Sequence, residues 1–180
     1  MSATVGGDTA ILAKAREIES GQYVDSSQQI RRMDEFDANG KLTAYTIYEY
    51  DFLGRKTGWR NYESSALTKY IEVTFDENDL PVRNDFYSPD GTLDQYQTME
   101  YDDRGLETRR DVYVGGEHMG YYVTYYDDDG RETGYDTYDV KSGQMVNYWR
   151  YDYDEEGNLL QQNCYSPDGK LITVRKPSGE

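Results

Sequence analysis

An all-β chain built from repeated hairpins is what this sequence predicts, and three observations predict it. Aromatic-Asp pairs recur about every 26 residues, each followed three residues later by a turn residue: Tyr50-Asp51 by Gly54, Phe75-Asp76 by Asp79, Tyr101-Asp102 by Gly105, Tyr126-Asp127 by Gly130, Tyr153-Asp154 by Gly157. A second turn class lies between them, as Ala38-Asn39-Gly40, Ser88-Pro89-Asp90-Gly91, Lys141-Ser142-Gly143 and Ser166-Pro167-Asp168-Gly169, with Ser64-Ser65 and Gly115-Gly116 as degenerate copies. Between turns, aromatic and aliphatic residues alternate with polar ones at period two, the spacing of a strand with one buried face. Each repeat therefore reads strand, tight turn, strand, tight turn.

The first element predicted along the chain is not a strand. Asp8-Thr9 followed by the run from Ala10 to Gly21 reads as a capped helix of about three turns, with Ile11, Ala15 and Ile18 on one stripe and Gly21 ending it. Residues 1–33 are thus expected to form a helix and lead-in, and residues 34–180 one hairpin array folding as a unit. In the Ser-Pro-Asp-Gly turns Pro presets φ, Asp tolerates the third position, and Gly takes the left-handed conformation. Asn78-Asp79 fills that role in the second repeat, these being the residue types next best at positive φ.

Counting back from each Asp, Tyr50 and Tyr48, Phe75, Val73 and Ile71, Tyr101 and Met99, Tyr126 and Tyr122, and Tyr153, Tyr151 and Trp149 fall on one buried face. If the Asp pairs with the turn residue, Leu80, Val82, Phe86, Leu106, Val112, Tyr135, Leu160 and Cys164 join them, and the opposite face sets Glu49 against Lys56 and Glu72 against Arg83. Arg131 and Asn158 break the alternation near turns. About ten or eleven strands at roughly 4.8 Å spacing make a sheet near 50 Å wide, and sheets that size curl or close. The expectation is a single, strongly curled antiparallel meander with the helix against one end of its apolar face. A closed barrel comes second, and a flat sheet paired with a second copy third.

Composition narrows the function classes. The 180 residues carry a formal charge of -16, which makes phosphate backbones and anionic lipid poor partners, since binding there needs clustered Lys and Arg. Nucleic acid is not expected. Membrane insertion is not expected either, because no apolar run approaches transmembrane length and Met1 to Gly7 lacks the regions of a signal peptide. The chain is expected to be soluble as given. Cys164 is the sole cysteine, so no intrachain disulfide forms.

The run Tyr48-Glu49-Tyr50-Asp51-Phe52-Leu53-Gly54-Arg55, with its counterparts around Tyr126-Asp127 and at Tyr153-Asp154-Glu155-Glu156-Gly157-Asn158-Leu159, resembles the tyrosine-aspartate repeats of bacterial Rhs-type and related cell-surface proteins. The resemblance covers Asp34 to about Val174. Glu17 to Ser26 also resembles the helical lead-in of secreted or lipid-anchored Gram-positive proteins with such repeats. What the resemblance implies is an extracellular or cell-surface, non-catalytic module, with no catalytic residues to transfer.

Little in the chain suggests chemistry. His118, the one histidine, sits in the degenerate turn Gly115-Gly116-Glu117-His118-Met119-Gly120 and reads as a turn residue, leaving zinc, haem and a histidine triad poorly supported. Cys164 falls on the buried side near Tyr151 and Trp149, where a thiol behaves as a small apolar group. Asp152-Tyr153-Asp154-Glu155-Glu156-Gly157 opens like a calcium loop, but position twelve is Asn163 where a bidentate Glu is needed, and Asp127-Asp128-Asp129-Gly130 does no better. No metal and no cofactor are expected.

The constellation that points to binding is a row of tyrosines six residues before each Asp: Tyr45, Tyr70, Tyr96, Tyr121 and Tyr148, all on the polar face. The same register sets Arg60, Asp85, Asp111, Asp136 and Asn163 opposite them. A ring beside a carboxylate or amide suits a sugar, and row members about 10 Å apart match an extended glycan. Tyr is also a strong strand former, so the row can equally be a sheet surface. The reading is a binding module with carbohydrate as first ligand and protein as second. A structural spacer, an acidic immunity-like interaction protein and, last, an enzyme are the alternatives.

Overall fold

The computed structural model describes residues 16–19, 22–25, 27 and 29–177. They form β1 (Arg16–Glu19), β2 (Gln22–Val24), β3 (Ile30–Phe36), β4 (Leu42–Tyr50), β5 (Lys56–Glu63), β6 (Ala66–Phe75) and β7 (Pro81–Tyr87). Then follow β8 (Leu93–Tyr101), β9 (Glu107–Val114), β10 (Glu117–Tyr126), β11 (Glu132–Asp139), β12 (Met145–Tyr153), β13 (Leu159–Tyr165) and β14 (Leu171–Arg175). Among the described residues all hydrogen-bond in sequence order as one antiparallel meander that begins with β1 and ends with β14, and these two do not pair, so the sheet is open and the barrel is not formed. Contacts group the chain into two compact units: the described residues up to Thr74 with Asn84–Asp94, and Phe75–Arg83 with the residues from Gln95 onward.

The N-terminal expectation is corrected in part. Of the expected helix, the stretch up to Ala15 lies outside the described residues, while Arg16–Glu19 is strand β1, paired with β2. Arg16-Glu17-Ile18-Glu19 satisfies a strand's alternation as well as a helix's stripe, and pairing with the strand formers Tyr23 and Val24 decides between them. Val24 is among the most buried residues. Because β1, β2 and the start of β3 continue the hairpin pattern ahead of residue 34, the strands among the described residues number fourteen rather than ten or eleven.

The repeated Asp builds the turn with both its backbone and its side chain. Asp51 donates its N–H to the Arg55 carbonyl (3.0 Å), and its carbonyl accepts the Gly54 N–H (3.1 Å). Its Oδ1 accepts the N–H groups of Leu53 and Arg55 at 2.9 and 3.0 Å, an Asx arrangement that leaves few turn donors unpaired. Asp76 and Asp102 repeat both side-chain bonds. So do Asp25 and Asp37, copies that the sequence reading placed in the lead-in and in the second turn class. Ser88 and Ser166 open turns with the same backbone bonds, each donating to the residue four along, so the Ser-Pro-Asp-Gly turns share the geometry of the Asp turns, whereas Asp139 donates five along to Gln144 and two-residue turns join Glu63 to Ala66 and Val114 to Glu117. Gly54 closes its turn at φ 84° and Asp79 takes the same place at 65°.

This geometry corrects the register. The Asp pairs with the residue four along, not three, and a bulge follows: Tyr50 faces Lys56 while Glu49 faces Gly58, leaving Thr57 extra. Thr43, Thr108 and Thr133 occupy the same extra position, and their hydroxyls donate to the carbonyls of Glu35, Glu100 and Tyr125 across the hairpin. Turn and bulge each move the pairing by one residue. Two residues is the side-chain period, so beyond the bulge each residue keeps its face and changes its partner. Lys56 lies before the bulge and therefore flips: it sits over the Tyr48 and Trp59 rings, and Glu49 pairs with Arg60 instead. Leu160, expected in the core, is the extra residue of its bulge and is exposed.

The tyrosine of each tyrosine-aspartate pair has its own task. Tyr50, Tyr101, Tyr126 and Tyr153 donate their hydroxyls to the carbonyls of Ile30, Pro81, Glu107 and Glu132, at 3.0, 2.6, 2.9 and 2.7 Å. Each acceptor is the first residue of the preceding strand, so the phenol ties its strand's end to the start of its neighbour. Met99, Trp149 and Cys164 are buried on that same face of the second unit, as expected, and Ile71 on it in the first. The face carrying Tyr45 is not simply polar: Ile47, two residues along the same strand, is 1% exposed.

Candidate functional site

The structure places the five row tyrosines on one side of their strands but gives each a partner the sequence reading missed. Tyr45 faces Tyr62 across the β4–β5 hairpin rather than Arg60, and their rings stack at 4.6 Å. Tyr70 stacks on Tyr87 (4.8 Å), Tyr96 on Tyr113 (4.3 Å), Tyr121 on Tyr138 (4.8 Å) and Tyr148 on Tyr165 (5.1 Å). In every case the partner is the tyrosine seventeen residues further along, a second constant spacing visible in the sequence. Stacked tyrosines directly opposite one another add roughly 0.5–1.5 kcal/mol beyond area burial.

Guanidinium groups lie over four of the row rings, Arg150 of the same strand being 4.8 Å from the Tyr148 centroid. Arg32 lies 4.2 Å from the Tyr45 centroid, Arg83 3.9 Å from Tyr96 and Arg109 3.9 Å from Tyr121. Arg109 is on β9 and Tyr138 on β11, flanking Tyr121 from opposite sides of β10, and Arg83 and Tyr113 flank Tyr96 in the same way. His118 covers the free side of Tyr113 at 4.5 Å. These rings therefore present edges and hydroxyls outward, while their faces are taken. His118 is a residue of β10, not of a turn.

The polar partners of the row are drawn inward. Asp111 is 7% exposed, gripped by Arg109 through two bonds (2.7 and 2.8 Å), with His118 Nε2 at 2.7 Å. The Arg109 guanidinium holds its carboxyl below the usual carboxylate range, against the opposing effect of burial. Asp136, also buried, accepts the Tyr125 hydroxyl at 2.8 Å and meets Arg150 at 2.9 Å. Burial, with the Asp136 carboxylate next, pushes the Tyr125 phenol up to about 12. Asn163 is buried and donates to Asp152 (2.8 Å), while Asp85 is half-buried on β7. Of the residues expected to meet a sugar, Asp111, Asp136 and Asn163 are thus engaged with their own neighbours.

A different surface of the second unit is open. On the face opposite the row, a shallow groove of about 370 Å³ runs over β8 to β11. Arg110 lies at its centre, donating to both Glu107 carboxylate oxygens (2.8 and 2.7 Å) and to Gln97 Oε1 (3.2 Å). Tyr122 and Tyr135, edge to face at 5.8 Å, line it with Glu132 and Thr124. Burial first, and then the Glu107 charge, raise the nearby Tyr101 phenol to about 12. The sequence hid this groove because Arg110 and Glu107 come to one face only through the extra residue Thr108 between them.

The remaining candidates are structural in their surroundings. Cys164 is buried opposite Trp149, and burial raises its thiol. Asp152 lies in β12 and accepts from Gln161 and Asn163. Among the described residues no group of three or more His, Cys, Asp or Glu is placed to hold a metal ion, and no helix is long and apolar enough to cross a membrane.

No family model matches the chain, and no curated protein matches it. Among solved structures it is similar to a chain of the Photorhabdus luminescens Tc holotoxin pore, at 14% identity and TM-score 0.43, over 81% of this chain and 9% of that one. A chain of the TcdB2-TccC3 crystal structure aligns at 12% identity and TM-score 0.30, over 87% and 11%. A Bacteroides fragilis protein of unknown function aligns at 13% identity and TM-score 0.20, over 81% and 90%. This chain spans about a tenth of the length of the two toxin chains it matches, and at these scores the likeness carries no argument about function.

Proposed function

We propose that this protein is a non-catalytic binding module of a cell surface or its surroundings, with a carbohydrate as ligand, and that the ligand lies in the groove around Arg110. One observation supports this most: Arg110, Glu107 and Gln97 hold one another in fixed orientation beside two tyrosines, in an open depression large enough for about one or two sugar rings. A planar guanidinium and a carboxylate supply paired donors and acceptors for neighbouring hydroxyls, and the tyrosines supply apolar edge. The row from Tyr45 to Tyr148 then serves as the frame behind the site, with its outward hydroxyls as secondary contacts.

The test is a glycan-array screen of the purified chain at two salt concentrations, followed by titration of Arg110→Ala and Tyr122→Ala against any hit. Binding that is nearly salt-independent and weakens at least tenfold in both variants, with circular dichroism unchanged, supports the groove. Binding unaffected by either variant removes the groove from the reading. A structural spacer is the second reading, favoured by the covered ring faces of Tyr96 and Tyr121, which stiffen the sheet without a ligand. It replaces the first if neither glycan nor protein screens find a partner.

A further inference from the structure

Two rows of paired residues cross the second unit side by side on the face of the Arg110 groove. In the first, Tyr122 of β10 has Arg110 of β9 on one side and Thr137 of β11 on the other. In the second, Gly120 lies between Val112 and Asp139, two residues along each strand and so on the same face. A glycine at the centre of such a row leaves a gap among neighbours that all carry side chains. A notch of about 210 Å³ opens there, with Tyr122 in its lining as in that of the groove. The gap belongs to the fold, because a Cβ on Gly120 would meet the Tyr138 carbonyl oxygen at 2.6 Å.

The rim of the notch is apolar where four other bulges carry threonine. Met119 and Val146 line it, and each is the extra residue of a bulge, in β10 and β12. The extra residues of β4, β6, β9 and β11 are Thr43, Thr68, Thr108 and Thr133, whose hydroxyls donate to carbonyls across their hairpins. Bulges of this sheet therefore do not require an apolar residue, yet Met119 and Val146 are apolar and stay 40% and 48% exposed. Asp139, the carboxylate in the lining, already accepts the Ser142 N–H and hydroxyl at 2.7 and 2.6 Å. An uncharged apolar group fits this lining, whereas a hydroxyl pressed against Val112, Met119 and Val146 would lose water without gaining a partner.

Arg110 and Thr137 stand two strand spacings apart, roughly 10 Å, so a group in the notch can be carried by a ring lying in the groove. An acetamido group holds its methyl clear of a sugar ring on a planar arm, as a recess beside the groove requires. Taking the groove as the sugar's seat, on which this rests, we propose that the bound sugar carries an acetamido group whose methyl occupies the notch at Gly120.

A glycan array printed with matched oligosaccharides, identical except for acetamido, hydroxyl or free amine at one ring carbon, tests this. It is read with the native chain, with Arg110→Ala, and with a double variant Met119→Thr and Val146→Thr that installs the residue of the other four bulges. In the native chain the acetamido member should bind at least about tenfold tighter than its hydroxyl counterpart, the lower end of what one carbon in an apolar pocket contributes. The double variant should abolish that preference by weakening the acetamido member alone, with circular dichroism unchanged. If its dichroism changes, Val146→Thr, exposed and nearly isosteric, carries the comparison instead. Equal binding of acetamido and hydroxyl members by the native chain overturns the proposal, as does a preference that survives the threonine variants. Both outcomes leave the groove standing where Arg110→Ala loses binding. Tightest binding of the free amine assigns the notch to a cation beside Asp139 and also overturns it. No binding of any member removes the groove reading together with the acetamido proposal.

Discussion

The two faces of the second unit spend the same residue type in opposite ways. On the row face, Tyr96 with Tyr113, Tyr121 with Tyr138 and Tyr148 with Tyr165 stack nearly parallel, at interplanar angles of 8°, 10° and 18°, over buried Asp111, Asp136 and Asn163. On the other, Tyr122 and Tyr151 meet Tyr135 edge-on at 81° and 84°, over buried Met99, Trp149 and Cys164. The stacked face closes its rings and satisfies its charges internally, whereas on the other face Tyr135 stacks on Trp149 but meets Tyr122 edge-on, and the Arg110 groove stays open beside that pair. Ring orientation, more than tyrosine content, decides which face keeps an open depression.

The largest effect expected from breaking this contrast is on the apolar face. Trp149→Ala should cost about 3–5 kcal/mol, as for other large aromatic truncations, read from denaturant midpoints. Gly134→Ala should also be severe, because a Cβ there would meet the Trp149 carbonyl oxygen at 2.1 Å, at a φ of 147°. A midpoint for that variant within error of the native chain would mean β11 and β12 do not approach as closely as described.

On the row face, Asp111→Ala strands Arg109 and should cost about 1–3 kcal/mol, moderated because the arginine is partly in water. The pH dependence follows from the same pair. The carboxyl of Asp111 is depressed in the folded chain, so its contribution is present above the ordinary carboxylate range and is lost as pH falls through the folded value. Urea midpoints across acidic pH should fall less steeply in Asp111→Asn than in the native chain. Equal slopes would remove the pair from the account of acid stability.

At the alkaline end the sign reverses. Tyr101 is raised to about 12, so the folded chain holds its proton more tightly than the unfolded one. Its stability contribution is full below about pH 10 and is lost as pH rises toward 12. Tyr101→Phe, which also removes the bond to the Pro81 carbonyl, should cost about 0.5–1.5 kcal/mol at neutral pH and flatten the alkaline decline followed by tyrosinate absorbance. The smallest stability change is expected for Arg110→Ala in the open groove, where a loss of glycan affinity without a shift in melting temperature would separate binding from support.

The repeat, the turn positions and the parity of each face beyond the bulges were legible in the residues, because they depend on spacing along the chain: aromatic-Asp recurrence, Ser-Pro-Asp-Gly, alternation at period two. So was the burial of Met99, Trp149 and Cys164. The fate of Arg16–Glu19 was not legible, since its pattern fits helix and strand alike and only pairing with β2 chooses. Which residues meet across a hairpin also needed tertiary structure. The Asp closes its turn with the fourth residue and a bulge adds one more, so Tyr121 meets Tyr138 instead of Asp136. Spacing along one strand fixes the side to which a residue points, but its partner depends on hydrogen bonds between strands, and those decided both that the row's rings are covered and that Arg110 reaches Glu107 in an open groove.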